Sequence, residues 1–254
     1  MKIVAGDARL ETLHVPGEPG RPTIVLLHEG LGSVAHWRDF PQRLAARTAC
    51  SVVAYSRRGY GESDPLAGPR EPDYMQREAT EVLPDLLDAL AIERPILFGH
   101  SDGASIAIVF AGTFPGRVRG LILEAPHLFV EEISLRSIAE AREAWETTDL
   151  RARLSRYHAN VEDAFRGWND AWLDPRFRAW NIEAFAAQIA CPVLVIQGER
   201  DEYGTTAQVE SILARVPGAA AWLVPGAGHS PHRDAGDEVL DRVATFVATF
   251  AATD

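Results

Sequence analysis

Lysine is almost missing from this chain: all but one of its 25 basic residues are arginine, the exception being Lys2. Against them stand 36 acidic residues, for a formal net charge of −11 at pH 7. That balance argues against general affinity for nucleic acid or anionic membrane surfaces, both of which repel a negative protein. Cysteine is scarce too. Cys50 and Cys191 lie far apart in sequence with no metal-type cluster, so free thiols in a reducing compartment are expected. No run approaches the roughly 18–20 apolar residues of a membrane span, and residues 1–10 carry charges where a secretory leader would be apolar. A cytoplasmic protein follows, with neither nucleic acid nor membrane among its expected partners. A P-loop, a Cys-x-x-Cys and a His-Glu-x-x-His are all absent, and Gly59-x-Gly61 lacks the third glycine and the following helix of a dinucleotide fingerprint. No cofactor and no metal are expected. Repeats, low-complexity tracts and linkers are also lacking.

What is present is an ordinary globular composition, 46% hydrophobic and 24% charged over 254 residues. The length suits one large α/β domain with an insertion, or two small domains. Apolar strand-like runs at 22–28, 51–55, 96–98, 121–123, 192–196 and 221–224 alternate with helical patterns, as in a mostly parallel sheet covered by helices. Helical spacing is clear at 74–90 and 239–250, with Pro84 expected to kink or restart the first. Residues 104–114 are apolar nearly all round, which predicts a helix buried in the centre. The alternation fails from 128 to 190, where only helical stripes occur, with Asn160 and Asn181 at N-cap positions and Trp168, Trp172 and Trp180 close together. An all-helical insertion between two strands reads as a lid.

The run 96–98 leads into Gly99-His100-Ser101-Asp102-Gly103, followed at once by the buried helix. A tight strand-to-helix turn forces its central residue into strained backbone angles, and glycines two positions away on each side relieve the crowding. Ser101 would then project above the sheet at a helix N-terminus, where the dipole favours developing negative charge. Two further segments stand out: His28-Glu29-Gly30-Leu31-Gly32-Ser33, and Arg57-Arg58-Gly59-Tyr60-Gly61-Glu62-Ser63-Asp64.

With the pentapeptide, these segments resemble α/β-hydrolase-fold serine hydrolases of the esterase and meta-cleavage-product-hydrolase branch, over nearly the whole chain. The resemblance implies a mostly parallel eight-stranded sheet flanked by helices, with a helical lid inserted after the sixth strand. Residues 1–127 and 191–254 would be the core and 128–190 the lid. Glu29 departs from the glycine usual at its position and adds a carboxylate beside the expected oxyanion loop.

A serine hydroxyl is a weak nucleophile and needs an oriented base. In the family the order is serine, acid, histidine. His229, in the glycine-flanked loop Gly226-Ala227-Gly228-His229 after the last strand, takes the histidine position. By likeness to the family's Gly-x-x-Asp, Asp201 orients it. Glu199 and Glu202 are local rivals, and Glu124, at the end of the strand before the lid, is a further alternative where some members keep their acid. His28 and His100 are structural supports by resemblance. His127 and His158 are open between substrate contact and surface residence, and His229 with His232 makes a poor metal pair. Oxyanion donors would be the backbone N–H groups of Gly30 and Asp102. The Asp102 carboxylate could bind a cation, brace loops or tune His229. A substrate pocket is expected from Glu29, Trp37, Glu124, His127 and Trp168.

The expected activity is cofactor-independent hydrolysis of a carboxylic ester with a small-to-medium apolar or aromatic acyl group. Ser101 excludes the aspartate nucleophile of haloalkane dehalogenases and epoxide hydrolases. Carbon–carbon hydrolysis of aromatic ring-cleavage products, thioester cleavage and perhydrolysis remain open, as does a catalytically silent ligand-binding receptor on the same scaffold. With Glu29, Asp102 and Glu124 all near the expected site, neutral or cationic substrates are favoured over anionic ones. The partner is a small molecule, and a homodimer is the default assembly.

Overall fold

The computed structural model describes residues 1–250. Eight strands make one sheet: β1 (Lys2–Ala5), β2 (Ala8–Val15), β3 (Thr23–Leu27), β4 (Ser51–Tyr55), β5 (Ile96–His100), β6 (Gly120–Glu124), β7 (Val193–Gly198) and β8 (Ala220–Val224). Their order is β1-β2-β4-β3-β5-β6-β7-β8. From β4 to β8 along that order every pairing is parallel, and only β1 and β2 run antiparallel to their neighbours. Continuous apolar runs such as Ile24-Val-Leu-Leu27 suit strands covered on both faces. Successive side chains point to opposite sides: Ile24 and Leu26 join a core with Phe40, Leu44 and Val243, while Val25 and Leu27 join one with Ala104, Ile108 and Leu123.

The antiparallel edge formed by β1 and β2 was not among the strand-like runs of the sequence. In β2 buried and exposed positions alternate, Ala8 and Leu10 inward and Arg9 outward, so no continuous apolar run marks it. The helix Asp102–Thr113 is buried along most of its length directly behind β5. The pattern at 74–90 becomes two short α-helices, Tyr74–Arg77 and Leu83–Ala89, joined by a π turn over Glu78–Val82. Pro84 sits in the first turn of the second, where its missing N–H costs least.

Between β6 and β7 the α-helices are Glu132–Thr147, Leu150–Leu154, Val161–Trp172 and Glu183–Ala186. The Asn160 side chain caps the third by accepting from the Asp163 N–H at 3.2 Å. Its inward face is aromatic: Phe165 stacks on Trp145 at 4.1 Å between ring centroids, and Trp168 and Trp172 are buried over the carboxyl ends of the strands. The aromatic stripe read from the sequence is therefore what carries this segment against the sheet.

Candidate active site

β5 ends at His100, and the helix Asp102–Thr113 starts two residues later. The intervening Ser101 has φ 54 and ψ −117, a backbone conformation that L-residues adopt only when the surroundings force it. A Cβ at Gly99 would lie 2.3 Å from the Gly103 carbonyl oxygen, and one at Gly103 would lie 2.0 Å from the Leu27 carbonyl oxygen. Both flanking glycines are thus steric requirements of the turn. The Ser101 N–H donates to the Glu124 carbonyl at 2.8 Å, which pins the turn to β6.

Asp201, just past β7, faces His229 in the loop after β8. Its two carboxylate oxygens lie 2.8 and 2.9 Å from His229 Nδ1. It also accepts from the Tyr203 N–H at 2.7 Å, the Gly204 N–H at 3.2 Å and Gln197 Nε2 at 2.6 Å. Burial pushes its carboxyl pKa up, but the His229 ring and the Tyr203 N–H outweigh this and hold it below the ordinary value. A carboxylate accepting at Nδ1 keeps the proton there and leaves the Nε2 lone pair as the basic site. The two loops approach closely, since a Cβ at Gly198 would lie 2.0 Å from the Gly228 carbonyl oxygen.

Ser101 and His229 line one cavity of about 90 Å³ together with Glu29, Gly30, Asp102, His127 and Trp168. Leu31, Ile138, Trp172 and Tyr203 complete it and were not identified from the sequence. The Trp172 stripe and the closeness of Tyr203 to Asp201 were the available signals, but neither told which side chains turn inward. Trp168 packs so tightly on the loop after β3 that a Cβ at Gly30 would lie 2.1 Å from its Nε1. His127 is buried, and its Nδ1 has no hydrogen-bond partner among the described residues. Burial and the nearby His229 press its pKa down to about 4, so it is neutral at pH 7.

Asp102 is braced. One oxygen accepts from the Tyr74 hydroxyl at 2.5 Å and lies 3.7 Å from Arg57 Nη2; the other accepts from Trp172 Nε1 at 3.2 Å. Arg57 also donates to the carbonyls of His28 and Glu29, at 2.5 and 3.0 Å, tying this pair to the loop after β3. His28 accepts the Arg57 N–H at 3.1 Å, and His158 accepts the Gly61 N–H at 3.0 Å while lying 3.1 Å from the Leu31 carbonyl. Both imidazoles brace loops, and neither lines the cavity.

Two expectations fail. Trp37 is not in the cavity. It ends the 3-10 turn Val34–Trp37, and its ring lies in the opposite core, 5.7 Å from Phe40, 5.9 Å from Phe98 and 5.0 Å from His232. Glu124 is not in the cavity either, nor does it face His229. Its oxygens accept from the His232 N–H and lie against His232 Nδ1, each at 2.6 Å. Of the three carboxylates expected near the site, only Glu29 and Asp102 line the cavity. His100, Glu124 and His232 bring ligand-type atoms within 4.8 Å of one another. Both Glu124 oxygens already serve His232, and His100 Nε2 donates to the His229 carbonyl at 2.7 Å, so the cluster is engaged in holding the His229 loop.

The profile of the alpha/beta hydrolase family matches residues 24–242, from β3 through the His229 loop. The chain belongs to the alpha/beta hydrolase family. Among its curated relatives is the mouse serine hydrolase BPHL, 26% identical over 90% of this chain and 80% of that protein. Another is the putative carbamate hydrolase RutD of Klebsiella pneumoniae, 30% identical over 84% and 86% respectively. The crystal structure of the enol-lactonase from Burkholderia xenovorans LB400 shares the fold with a TM-score of 0.77 at 20% identity, covering 98% of this chain and all of that one. Hydrolase chemistry is common to these relatives. Among the described residues no helix is long and apolar enough to cross a membrane.

Proposed function

We propose that this family member hydrolyses carboxylic esters with a small acyl group through an acyl-enzyme on Ser101. The observation that carries the reading is the shared cavity: a serine on a strained elbow and a histidine held at Nδ1 by a buried carboxylate open onto the same space. Ser101 Oγ attacks the ester carbonyl while its proton passes to His229 Nε2. Negative charge develops on the carbonyl oxygen, toward the backbone N–H groups of Gly30 and Asp102. Collapse breaks the acyl–oxygen bond, and His229 returns the proton to the leaving alcohol. Water then attacks the acyl-serine by the same route, giving the acid and free Ser101. Asp201 holds the imidazolium that forms in each half.

Helices between β6 and β7 would act as the lid, and residues 128–190 as its extent. The cavity is small, about 90 Å³, which favours short acyl chains over the medium ones also expected from sequence. Two acidic residues, Asp102 and Glu29, are among those that line the cavity, each with an arginine beside it, Arg57 and Arg233. Neutral or cationic acyl groups are therefore favoured over anionic ones, which weighs against ring-cleavage dienoates. Carbamate hydrolysis is the second reading, because the 30% identical relative carries that name and the same acyl transfer serves both bonds. Turnover of p-nitrophenyl acetate against a matched carbamate and a matched anionic ester, with Ser101→Ala as control, tests the reading. Carbamate turnover well above the ester would replace the first reading by the second, and preference for the anionic ester would contradict the charge argument.

A further inference from the structure

Glu29, the departure from the family's glycine, has a partner set that the ester chemistry does not use. Its Oε2 lies 3.6 Å from His100 Nδ1, and its Oε1 lies 3.2 Å from Arg233 Nη2. The other nitrogen of His100, Nε2, lies 2.7 Å from the backbone carbonyl of His229. Nε2 of this buried ring is thus hydrogen-bonded, whereas Nδ1 has no hydrogen-bond partner among the described residues and holds the Glu29 carboxylate at ion-pair distance. A neutral imidazole spends its single N–H on the carbonyl, whereas the doubly protonated ring also turns an N–H and a positive charge toward the Glu29 carboxylate. Through that ring the loop bearing Gly30 is joined to the loop bearing His229, across the residue next to Ser101. Arg233 reinforces the link, since it lies four residues beyond His229 and its Nη2 also donates to the His36 carbonyl at 3.3 Å.

We propose that His100 works as an imidazolium clamp between Glu29 and the His229 carbonyl, making Glu29 and His100 positioning residues that fix the spacing of the oxyanion loop and the His229 loop. The proposal rests on the reading of Ser101 and His229 given above. The charged groups around His100 agree with it. Glu29 faces it from the loop after β3 and Glu124 from the end of β6. The His229 and His232 rings lie 5.2 and 5.1 Å away, and His232 is itself bound to Glu124 at 2.6 Å. Burial presses the His100 pKa down, but Glu29 and Glu124 outweigh it and leave it above the ordinary value. Glu29 correspondingly sits well below the carboxylate range, because His100 and Arg233 overcome the effect of its own burial.

The two charges beside His100 give substitutions of opposite sign. Glu29→Gln removes the anion and should move the His100 titration down by about one pH unit; Arg233→Gln removes the competing cation and should move it up. Histidine side-chain 15N NMR of wild type and both variants, with His100→Gln for assignment, reads these shifts directly. In ester kinetics, Glu29→Gln should lower kcat by roughly 10- to 100-fold, the scale of a small misplacement of reacting groups, with KM within about twofold. Its alkaline limb should move to lower pH together with the NMR titration. A mere packing defect would move neither titration in opposite directions. His100 titrating at or below its ordinary value in the wild type, or Glu29→Gln leaving both kcat and the titrations unchanged, overturns the clamp. If the wild type turns over no ester, the proposed hydrolysis falls, while the opposed titrations still decide whether His100 is charged between its two acceptors.

Discussion

Among the described residues, Glu124 bonds to His232 as closely as any carboxylate bonds to an imidazole, with Oε2 2.6 Å from Nδ1, and this pair lies beside the Asp201–His229 pair without sharing a residue with it. Of these two pairs, only Asp201–His229 contributes a residue to the cavity. The first prediction separates them. Asp201→Asn should lower kcat by about 10⁴-fold, the scale seen when an orienting carboxylate becomes an amide and fixes the wrong tautomer. Glu124→Gln should leave kcat within about tenfold and instead cost about 1–3 kcal/mol of stability, as a buried hydrogen-bond pair loses its match. Steady-state kinetics and urea unfolding of both variants check this.

A second prediction concerns the elbow. Gly103→Ala places a methyl 2.0 Å from the Leu27 carbonyl oxygen, and that atom belongs to a central strand that cannot move aside. The substitution should cost about 2 kcal/mol or more and abolish activity, read from urea midpoints and ester turnover. Gly116→Ala, where nothing lies within 4 Å of the new methyl, is the control expected to unfold like the wild type.

Third, chain length should be governed by Trp168. Its indole closes the cavity against Gly30. Trp168→Ala should shift the optimum of kcat/KM across p-nitrophenyl acetate, butyrate and hexanoate toward the longer chains, while lowering stability by about 3–5 kcal/mol. An unchanged acyl preference would mean that the acyl group does not lie against this ring.

Acid should destabilise the fold through its buried neutral histidines. His127 and His158 are held to about 4 by burial, below the ordinary value of 6.5. Between pH 6.5 and 4 the unfolded chain binds protons at these sites that the native state refuses, so stability falls as pH falls through that window. The raised His100 pKa works in the opposite direction. His127→Gln removes one of the refusing sites and should flatten the slope of unfolding free energy between pH 6.5 and 5 by about 1 kcal/mol per pH unit, measured by urea unfolding at several pH values.

These predictions lean unevenly on the sequence. Ser101, Asp201 and His229 were legible because each sits in a short local pattern at a strand end, and a parallel sheet brings strand ends together. The central strands were legible from continuous apolar runs; β2 was not, because its alternation dilutes the apolar signal. Trp37 and Glu124 stand beside the right motifs yet face the other core, since proximity in sequence does not say which side of the sheet a side chain takes. Ile138 and Trp172 reach the cavity from helices whose docking is a tertiary property, and no spacing could reveal it. The partners of Glu29 come from residues 71 and 204 positions away, so its departure from glycine was visible while its meaning was not.

The most direct test is covalent. Treatment with a fluorophosphonate, followed by intact-protein mass and peptide mapping, should show a single adduct on Ser101. The adduct should be absent from Ser101→Ala, and its formation should be slowed by orders of magnitude in His229→Ala. An unlabelled wild type, or an adduct on any other residue with Ser101→Ala retaining ester turnover, would contradict Ser101 as the nucleophile.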